Sequence, residues 1–243
     1  MKGVILAGGE GSRLHPATRV TNKHLLPVYN KPMIYYPILT LQRMGVNDIM
    51  IITGGNDAGD FVTLLEEERE FVDIEFTFRY QKGALGIADA LMYAKDFVGN
   101  DPFPVILGDN IFIDSFADKW KTFVRSDKEG YVFLKEVKHP NRFGVANLDA
   151  NLQIVNIVEK PVTDPPSNFA VTGLYFYRPQ VFSVIPKLTP SSREEMEITD
   201  LHNVLAKRKK LGYDVVYGFW SDAGTFESLF NASSFVRGAF GNI

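Results

Sequence analysis

The chain has 243 residues, a formal net charge of −3 and no cysteine. The length suits one domain with a full hydrophobic core, and the lack of cysteine excludes disulfides, thiolate metal sites and cysteine nucleophiles. The charge balance provides no basic field for long nucleic acids, and no apolar run approaches the ~20 residues that span a membrane. Because no signal peptide is visible either, we expect a cytoplasmic protein whose partners are neither nucleic acid polymers nor membranes.

Strand-like and helix-like segments alternate through the first half of the chain. The predicted strands are residues 4–7, 48–53, 74–81 and 104–108, and the predicted helices are residues 32–44, 58–70 and 86–98. This alternation is typical of a doubly wound, mostly parallel, Rossmann-like α/β sheet.

Beyond about residue 130, short predicted strands follow one another directly. They are residues 131–137, 143–148, 153–158 and 170–177, and helices return at 199–210 and 225–240 around a strand at 214–219. No flexible linker separates this part of the chain from the rest. We therefore expect a single domain over residues 1–243, in which a β-rich region is inserted onto the open sheet.

The first predicted strand runs directly into a glycine-rich loop, Gly8-Gly9-Glu10-Gly11-Ser12-Arg13. Backbone N–H groups of such a loop can surround phosphate oxygens, and Arg13 and Lys23 can neutralise their charge. The Rossmann fingerprint would need a glycine at Leu14, and a Walker loop would need a lysine directly after Gly11. A tight turn that uses glycine only for packing is the alternative, but such a turn does not need Arg13 and Lys23. The loop therefore predicts a nucleotide site of another kind.

Two aspartates stand where later strands are predicted to end, and open parallel sheets bind ligands beyond the carboxyl ends of their strands. Asp109 follows the strand at 104–108, and Asp222 follows the strand at 214–219. Two carboxylates with water and phosphate oxygens make a hard oxygen site that suits Mg²⁺. Singly, Asp109 could belong to an Asx turn and Asp222 could cap the last helix. Together with the phosphate loop, they favour a Mg²⁺ site.

Two further positions stay open on the residues alone. The Gln81 carboxamide could pair with a base edge, and Gly86 would let the base approach closely, but a polar strand end without a ligand explains the spacing more simply. Glu159 and Lys160 could hold a sugar hydroxyl and a sugar phosphate, or form a surface ion pair. The four histidines share no spacing, which argues against a histidine metal site or a nucleophilic triad.

From residue 3 to about residue 230 the chain resembles the glucose-1-phosphate thymidylyltransferases, in the short form of the sugar-1-phosphate nucleotidylyltransferase family. The runs that carry the resemblance are LAGGEGSRLHP, NKHLLPVYNKPMIYY, VILGDNIF, RFGVA, EKP, AVTGLYFY, EITDL and WSDAGT. Glu194 stands where the family more usually has glycine, in the segment before EITDL. Longer relatives carry extra C-terminal helices, whereas this chain ends soon after the helix that follows Thr225.

The resemblance implies that a thymidylyl group passes from dTTP to α-D-glucose 1-phosphate, which gives dTDP-glucose and pyrophosphate for deoxysugar synthesis of the dTDP-rhamnose type. It implies Mg²⁺ as cofactor, held by Asp109 and Asp222, and catalytic roles for Arg13, Lys23 and Asp109. The implied nucleotide-binding residues are Leu6, Ala7, Gly8, Gly9, Gly11, Ser12, Arg13, Lys23, Gln81, Gly86 and Asp109. The implied sugar-phosphate-binding residues are Asn110, Gly144, Glu159, Lys160, Val171 and Tyr175. Residues 1–130 would form the nucleotide-binding half and residues 131–243 the sugar-binding half.

Two alternative functions stay open. A uridylyltransferase acting on a sugar 1-phosphate would use the same chemistry, and Gln81 discriminates poorly between thymine and uracil. A non-catalytic, ligand-sensing relative would be expected to lack Arg13, Lys23 or the two aspartates, and all of these are present. A homo-oligomer is compatible with every one of these functions.

Overall fold

A computed structural model describes residues 1–54, 58–66, 68–83, 85–191 and 193–240. Its strands are β1 (Lys2–Ala7), β2 (Pro27–Val28), β3 (Lys31–Pro32), β4 (Asp48–Thr53), β5 (Glu75–Tyr80), β6 (Phe103–Leu107), β7 (Asn110–Phe112), β8 (Gly130–Glu136), β9 (Gly144–Leu148), β10 (Ile154–Glu159), β11 (Phe169–Tyr177), β12 (Leu211–Val215) and β13 (Trp220–Asp222). Its α-helices are α1 (Tyr35–Arg43), α2 (Ala58–Glu66), α3 (Ile87–Met92), α4 (Lys95–Val98), α5 (Ala117–Arg125), α6 (Val181–Val184), α7 (Ile198–Lys207) and α8 (Phe226–Phe240). Among the described residues, no helix is both long enough and apolar enough to cross a membrane.

Two compact units share the chain. The first consists of Met1–Ala84, Ile106–Ser115 and Gly218–Ile243, and the second of Leu85–Val105 and Phe116–Tyr217. The chain passes back and forth between them, so the units interleave along the sequence. That residues 1–243 act as a single domain, with a nucleotide-binding half at 1–130 and a sugar-binding half at 131–243, stays a prediction.

Parallel strands form the sheet of the first unit. β1 pairs with β4 in parallel, and β4 pairs with β5 in parallel. β1 and β4 are near-continuous apolar runs in which residues such as Ile5 and Ile51 are fully buried, as parallel strands covered on both faces require, whereas β5 is only partly buried. Their last residues stand in one row, with Ala7 opposite Thr53 and Thr53 opposite Tyr80. This row places the glycine loop and Gln81 at the same edge of the sheet.

The second unit is rich in antiparallel strands. β11 pairs with β8, and β10 pairs with β9, both antiparallel, while β12 adds to β8 in parallel. Its core contains an aromatic cluster in which the ring of Phe176 contacts those of Phe123 and Phe133. Helix α7 packs on β10, because the side chain of Asn203 bonds both backbone groups of Ile157.

The predicted α/β fold with a mostly parallel sheet and a β-rich insertion is confirmed, with two local corrections. The helix predicted at 86–98 is two helices, because Tyr93 and Ala94 donate to carbonyls three residues back and form a tight turn. The strand predicted at 214–219 lies at Leu211–Val215, where the buried Leu211 pairs with Gly130 of β8.

Candidate active site

A short antiparallel ladder in the first unit brings Asp109 and Asp222 together. In this ladder, β13 pairs with β7 so that Asp222 stands opposite Asn110. The backbone N–H of Ala223 donates to the carbonyl oxygen of Asp109 at 2.8 Å. Behind the ladder, Ala223 is fully buried in an apolar cluster with Val28, Met33, Tyr36, Ile111, Ala232 and Val236. The cluster fixes the backbone from which both carboxylates project.

Three of the predicted site residues surround Gly224. A Cβ atom at Gly224 would lie 3.1 Å from Nη2 of Arg13, 3.4 Å from Oδ2 of Asp109 and 3.7 Å from Oδ2 of Asp222. One cationic group and two anionic groups therefore border the same small space.

Lys23 forms an ion pair with Asp109. Its Nζ lies 2.5 Å from Oδ2 of Asp109, and the two side chains are only 12% and 11% exposed. The amide of Asn110 donates to Oδ1 of Asp109 at 3.0 Å and accepts from the Trp220 indole at 2.7 Å. Burial alone would raise the pKa of the Asp109 carboxyl, but Lys23 and these hydrogen bonds hold that pKa well below its usual range. Asp109 is therefore an anion at neutral pH.

His24 is buried next to this ion pair. Burial, together with the nearby Lys23 ammonium, lowers the pKa of His24 to about 3, so its ring is neutral at pH 7. The side-chain oxygen of Asn22 accepts from the His24 backbone N–H at 3.0 Å and lies 2.7 Å from the ring Nδ1, which assigns the proton to Nδ1. A Cβ at Gly108 would lie 2.6 Å from the His24 ring. His24 thus packs the turn that carries Lys23 against the segment that carries Asp109.

The glycine loop closes on the Lys23 side chain. Gly11 has a φ of 65°, and a Cβ there would lie 2.9 Å from the Cβ of Lys23, so both conformation and space require glycine. A Cβ at Gly9 would lie 3.4 Å from Nζ of Lys23. The loop continues into a 3₁₀ turn at Ser12–Leu14, which carries Arg13. The loop therefore packs against Lys23 and leads directly into the turn that carries Arg13.

Gln81 lies against the other side of the loop. Its backbone N–H donates to Thr53 at 2.8 Å, and its side chain is nearly buried. A Cβ at Gly8 would lie 3.1 Å from the Gln81 side-chain oxygen. Leu6 and Ala7, which precede the loop, are buried at the end of β1. The carboxamide is thus held beside the loop rather than extended from a free strand end.

Glu159 is held by several groups in the second unit. The Thr199 hydroxyl donates to its Oε2 at 2.6 Å, and Lys160 and Arg193 lie 3.2 and 3.9 Å from its Oε1. Gly144 stands opposite Glu159 in the ladder of β9 and β10, and a Cβ there would lie 3.3 Å from Oε2. Glu159 and Lys160 therefore form an ion pair, and the buried Thr199 hydroxyl donates a further hydrogen bond to Glu159.

Gly86 needs to be glycine for two reasons. Its φ is 95°, and a Cβ would lie 2.5 Å from the carbonyl oxygen of Met196. The backbone of Met196 donates to Leu85 and accepts from Ala88, at 2.8 and 3.0 Å. The segment before α7 therefore fixes the loop that contains Gly86.

Val171 and Tyr175 lie on β11, on either side of an irregular stretch of its pairing with β8. Gly173 falls in this stretch, as a bulge glycine would. Val171 is partly exposed, whereas Tyr175 is only 4% exposed and its ring packs against those of Tyr177 and His202. Of the predicted sugar-phosphate set, Asn110 alone belongs to the first unit.

Sequence reasoning missed three side chains that hold predicted site residues. Trp220 bonds Asn110, Thr199 bonds Glu159, and Arg193 pairs with Glu197 at 2.7 Å while approaching Glu159. Thr199 lies in the EITDL run and Trp220 in the WSDAGT run, so the sequence points to their positions but not to their roles. Arg193 carried no signal of its own.

The oxygen donors beside Gly224 fit a Mg²⁺ ion that is held partly by substrate. Mg²⁺ takes six oxygen ligands, usually one or two protein carboxylates with waters and phosphate oxygens. Asp109 and Asp222 supply two carboxylates, and each Asp109 oxygen has a second lone pair beyond its bond to Lys23 or Asn110. Within the described ranges, no three His, Cys, Asp or Glu side chains cluster as a metal site. The fit therefore rests on these two aspartates.

Comparison with known proteins decides the family, because the nucleotidyl transferase family matches residues 2–238. The chain belongs to this family. It is 43% identical over 240 residues to a glucose-1-phosphate thymidylyltransferase of Neisseria meningitidis serogroup A, which covers 98% of this chain and 83% of the relative. It is 40% identical over 239 residues to a glucose-1-phosphate thymidylyltransferase of Mycolicibacterium smegmatis, at 98% and 82% coverage. The predicted resemblance is confirmed, and the protein is a nucleotidyltransferase.

Solved structures agree with this family assignment. A Bacillus anthracis protein in complex with a sucrose, provisionally assigned as a glucose-1-phosphate thymidylyltransferase, has a TM-score of 0.91 and 50% identity, covering 98% of this chain and 95% of that one. A UDP-glucose pyrophosphorylase complexed with UDP-glucose has a TM-score of 0.88 and 26% identity, covering 98% of both chains. This nucleotidyltransferase therefore shares its fold with enzymes of two nucleotide specificities.

Proposed function

We propose that the protein transfers the thymidylyl group of dTTP to α-D-glucose 1-phosphate, giving dTDP-glucose and pyrophosphate. The observation that carries this proposal is the approach of Arg13, Asp109 and Asp222 to one position beside Gly224. The names of the most similar curated relatives support dTTP and glucose 1-phosphate as substrates.

The reaction needs charge neutralisation more than proton transfer. An anionic phosphate oxygen of glucose 1-phosphate attacks the α-phosphorus of dTTP in line, and the bond from that phosphorus to the bridging oxygen breaks. Pyrophosphate leaves with the electron pair, so no general base is required. Arg13 and Lys23 would neutralise charge on the phosphates that the glycine loop holds. The neutral, buried His24 fits a mechanism without a histidine base.

We assign the remaining positions by their chemistry. Asp109 and Asp222 would hold Mg²⁺, which when bound neutralises phosphate charge. The Gln81 carboxamide would pair with thymine, and Gly86 would let the base approach. Glu159 would accept hydrogen bonds from the sugar hydroxyls, and Lys160 would bind the sugar phosphate as a point charge. We also propose that the sugar-phosphate pocket is lined by Asn110, Gly144, Val171 and Tyr175. Asn110 also bonds Asp109 and Trp220, and the Tyr175 ring also packs against Tyr177 and His202.

A uridylyltransferase is the second candidate, because a UDP-glucose pyrophosphorylase shares the fold at 26% identity. Both candidates use substrates of the cytoplasm, where we propose that the protein acts. The dTDP-glucose product would feed deoxysugar synthesis of the dTDP-rhamnose type.

The experiment measures pyrophosphate release with Mg²⁺ and glucose 1-phosphate, using dTTP and UTP at equal subsaturating concentrations. We expect a clear preference for dTTP, and losses on the order of 10²–10³ in Arg13→Ala and Asp109→Ala. Arg43→Ala, at the exposed end of α1, is the matched control and should keep the wild-type rate. Comparable rates with both nucleotides would favour a broader sugar nucleotidyltransferase, and no release with either would contradict the proposal.

A further inference from the structure

We propose that Gly224 is a positioning residue for Arg13, because the missing Cβ leaves the room that the guanidinium occupies beside the two carboxylates. The inference rests on the proposed nucleotidyl transfer and adds the residue that places its arginine.

The three distances around Gly224 are not equivalent. Carbon and its neighbours attract best at about 3.5–4.0 Å, so a Cβ 3.4 and 3.7 Å from the oxygens of Asp109 and Asp222 would sit in ordinary contact. At 3.1 Å from Nη2 of Arg13, the same Cβ would be too close. A methyl group at Gly224 would therefore shift the guanidinium by a few tenths of an ångström and leave both carboxylates in place.

The backbone at Gly224 cannot easily yield instead. On one side, Ala223 is anchored in the buried apolar cluster and bonded to Asp109. On the other side, Thr225 and Ser228 bond each other at the start of α8, with the Ser228 backbone N–H donating to the Thr225 hydroxyl at 3.2 Å. The Arg13 side chain is exposed, so its guanidinium can shift more easily than this backbone. A methyl group at Gly224 is thus expected to displace Arg13 rather than to destabilise the fold.

The conformation of Gly224 does not itself call for glycine. Gly11 and Gly86 have φ values of 65° and 95°, in the left-handed region, whereas Gly224 lies outside that region. The φ of Gly224 is therefore not a reason to exclude alanine. Space for Arg13 is then the reason for glycine at this position, and the reason can be tested with a single methyl group.

The test is a double-mutant cycle on kcat/KM for dTTP, with Gly224→Ala, Arg13→Ala and both together. We expect Gly224→Ala to lower kcat/KM about 3- to 10-fold, because a shift of a few tenths of an ångström is a fraction of the ~1 Å misplacement that costs about 100-fold. In the Arg13→Ala background it should cost less than about twofold, since the displaced group is already gone. Gly238→Ala on α8, where a Cβ meets nothing within 4 Å, is the matched control and should be silent.

Losses that multiply in the double variant, or a wild-type rate in Gly224→Ala, would overturn the inference. A melting temperature of Gly224→Ala close to that of the wild type separates misplacement from unfolding. The same cycle is then measured on dTTP affinity by calorimetry, which needs no turnover. If the wild type binds dTTP but releases no pyrophosphate, the proposed function fails while this cycle still decides the placement of Arg13.

Metal binding provides a second readout. Mn²⁺ is titrated with dTTP present and glucose 1-phosphate absent, and free Mn²⁺ is followed by electron paramagnetic resonance. Gly224→Ala should keep the wild-type Mn²⁺ affinity within about twofold, because its carboxylates stay in ordinary contact distance. Weaker Mn²⁺ binding in Gly224→Ala would mean that the methyl group disturbs the aspartates and would contradict the role assigned to Arg13.

Discussion

Nζ of Lys23 lies 2.5 Å from Oδ2 of Asp109, although 86 residues separate them along the chain. Both side chains are nearly buried, so water screens the pair poorly. The contact ties the segment after the glycine loop to the end of β6. It also helps to keep the Asp109 carboxyl, a proposed catalytic group, ionised before any substrate arrives.

Replacing Lys23 by methionine leaves the Asp109 carboxylate buried without its counter-ion. We expect Lys23→Met to lower the free energy of unfolding by about 3–5 kcal/mol, the usual cost of an uncompensated buried charge. Adding Asp109→Asn removes the stranded charge and should recover part of that loss. Urea unfolding at pH 7 measures both variants, and a Lys23→Met protein as stable as the wild type would contradict the ion pair's role.

Part of the fold and of the candidate site can be predicted from the sequence, because local residue patterns indicate them. The strand at 48–53 is found at those residues, since its apolar run is continuous and glycine follows it. The glycine loop, Arg13 and Lys23 were predictable because the loop chemistry depends on neighbours along the chain.

The parts that escaped prediction depend on distant contacts. β7 and β13 have three residues each, too few for a periodic signal, so the ladder that joins the predicted pair Asp109 and Asp222 is not itself predictable. The bond between Thr199 and Glu159 joins residues 40 apart, which no local pattern encodes. β12 was misplaced because its apolar residues extend past Val215, whereas its pairing with β8 begins at Leu211.

His202 should make stability fall in mild acid. It is fully buried, its Nε2 lies 2.5 Å from the Tyr177 hydroxyl, and burial lowers the pKa of His202 from 6.5 to about 3. As the pH falls below 6.5, His202 becomes protonated in the unfolded chain but stays neutral in the folded chain. The stability that is present above that pH is therefore lost. Between pH 7.5 and pH 5 this contributes a loss of about 2 kcal/mol.

Urea unfolding at both pH values tests the histidine. His202→Gln should unfold more easily at pH 7.5 but show a smaller decrease towards pH 5 than the wild type. The buried His24 adds a loss of the same sign, so some pH dependence stays in the variant. His139→Gln, at an exposed position, should leave the decrease unchanged. An unchanged pH dependence in His202→Gln would contradict the assignment.

Glu194 occupies the left-handed region, with a φ of 60°, at the position where the family more usually has glycine. A residue with a Cβ pays roughly 1–2 kcal/mol for that conformation, and glycine gives part of the gain back as unfolded-state entropy. We expect Glu194→Gly to raise the free energy of unfolding by about 0.5–1 kcal/mol. Glu194→Ala keeps the strain and removes the charge, so equal gains in both variants would assign the effect to charge instead.

Thr199 should control the affinity for glucose 1-phosphate through Glu159. Its hydroxyl donates to Oε2 of Glu159 at 2.6 Å, and without it Lys160 and Arg193 can draw the carboxylate towards themselves. We expect Thr199→Val to raise KM for glucose 1-phosphate about tenfold, since a hydrogen bond to a charged group is worth about 1.5 kcal/mol or more. KM for dTTP should stay unchanged, and Thr199→Ser, which keeps the hydroxyl, should restore the wild-type value. Equal increases in both KM values would indicate a general disturbance of α7. A specific effect on Glu159 would raise KM for glucose 1-phosphate and leave KM for dTTP unchanged.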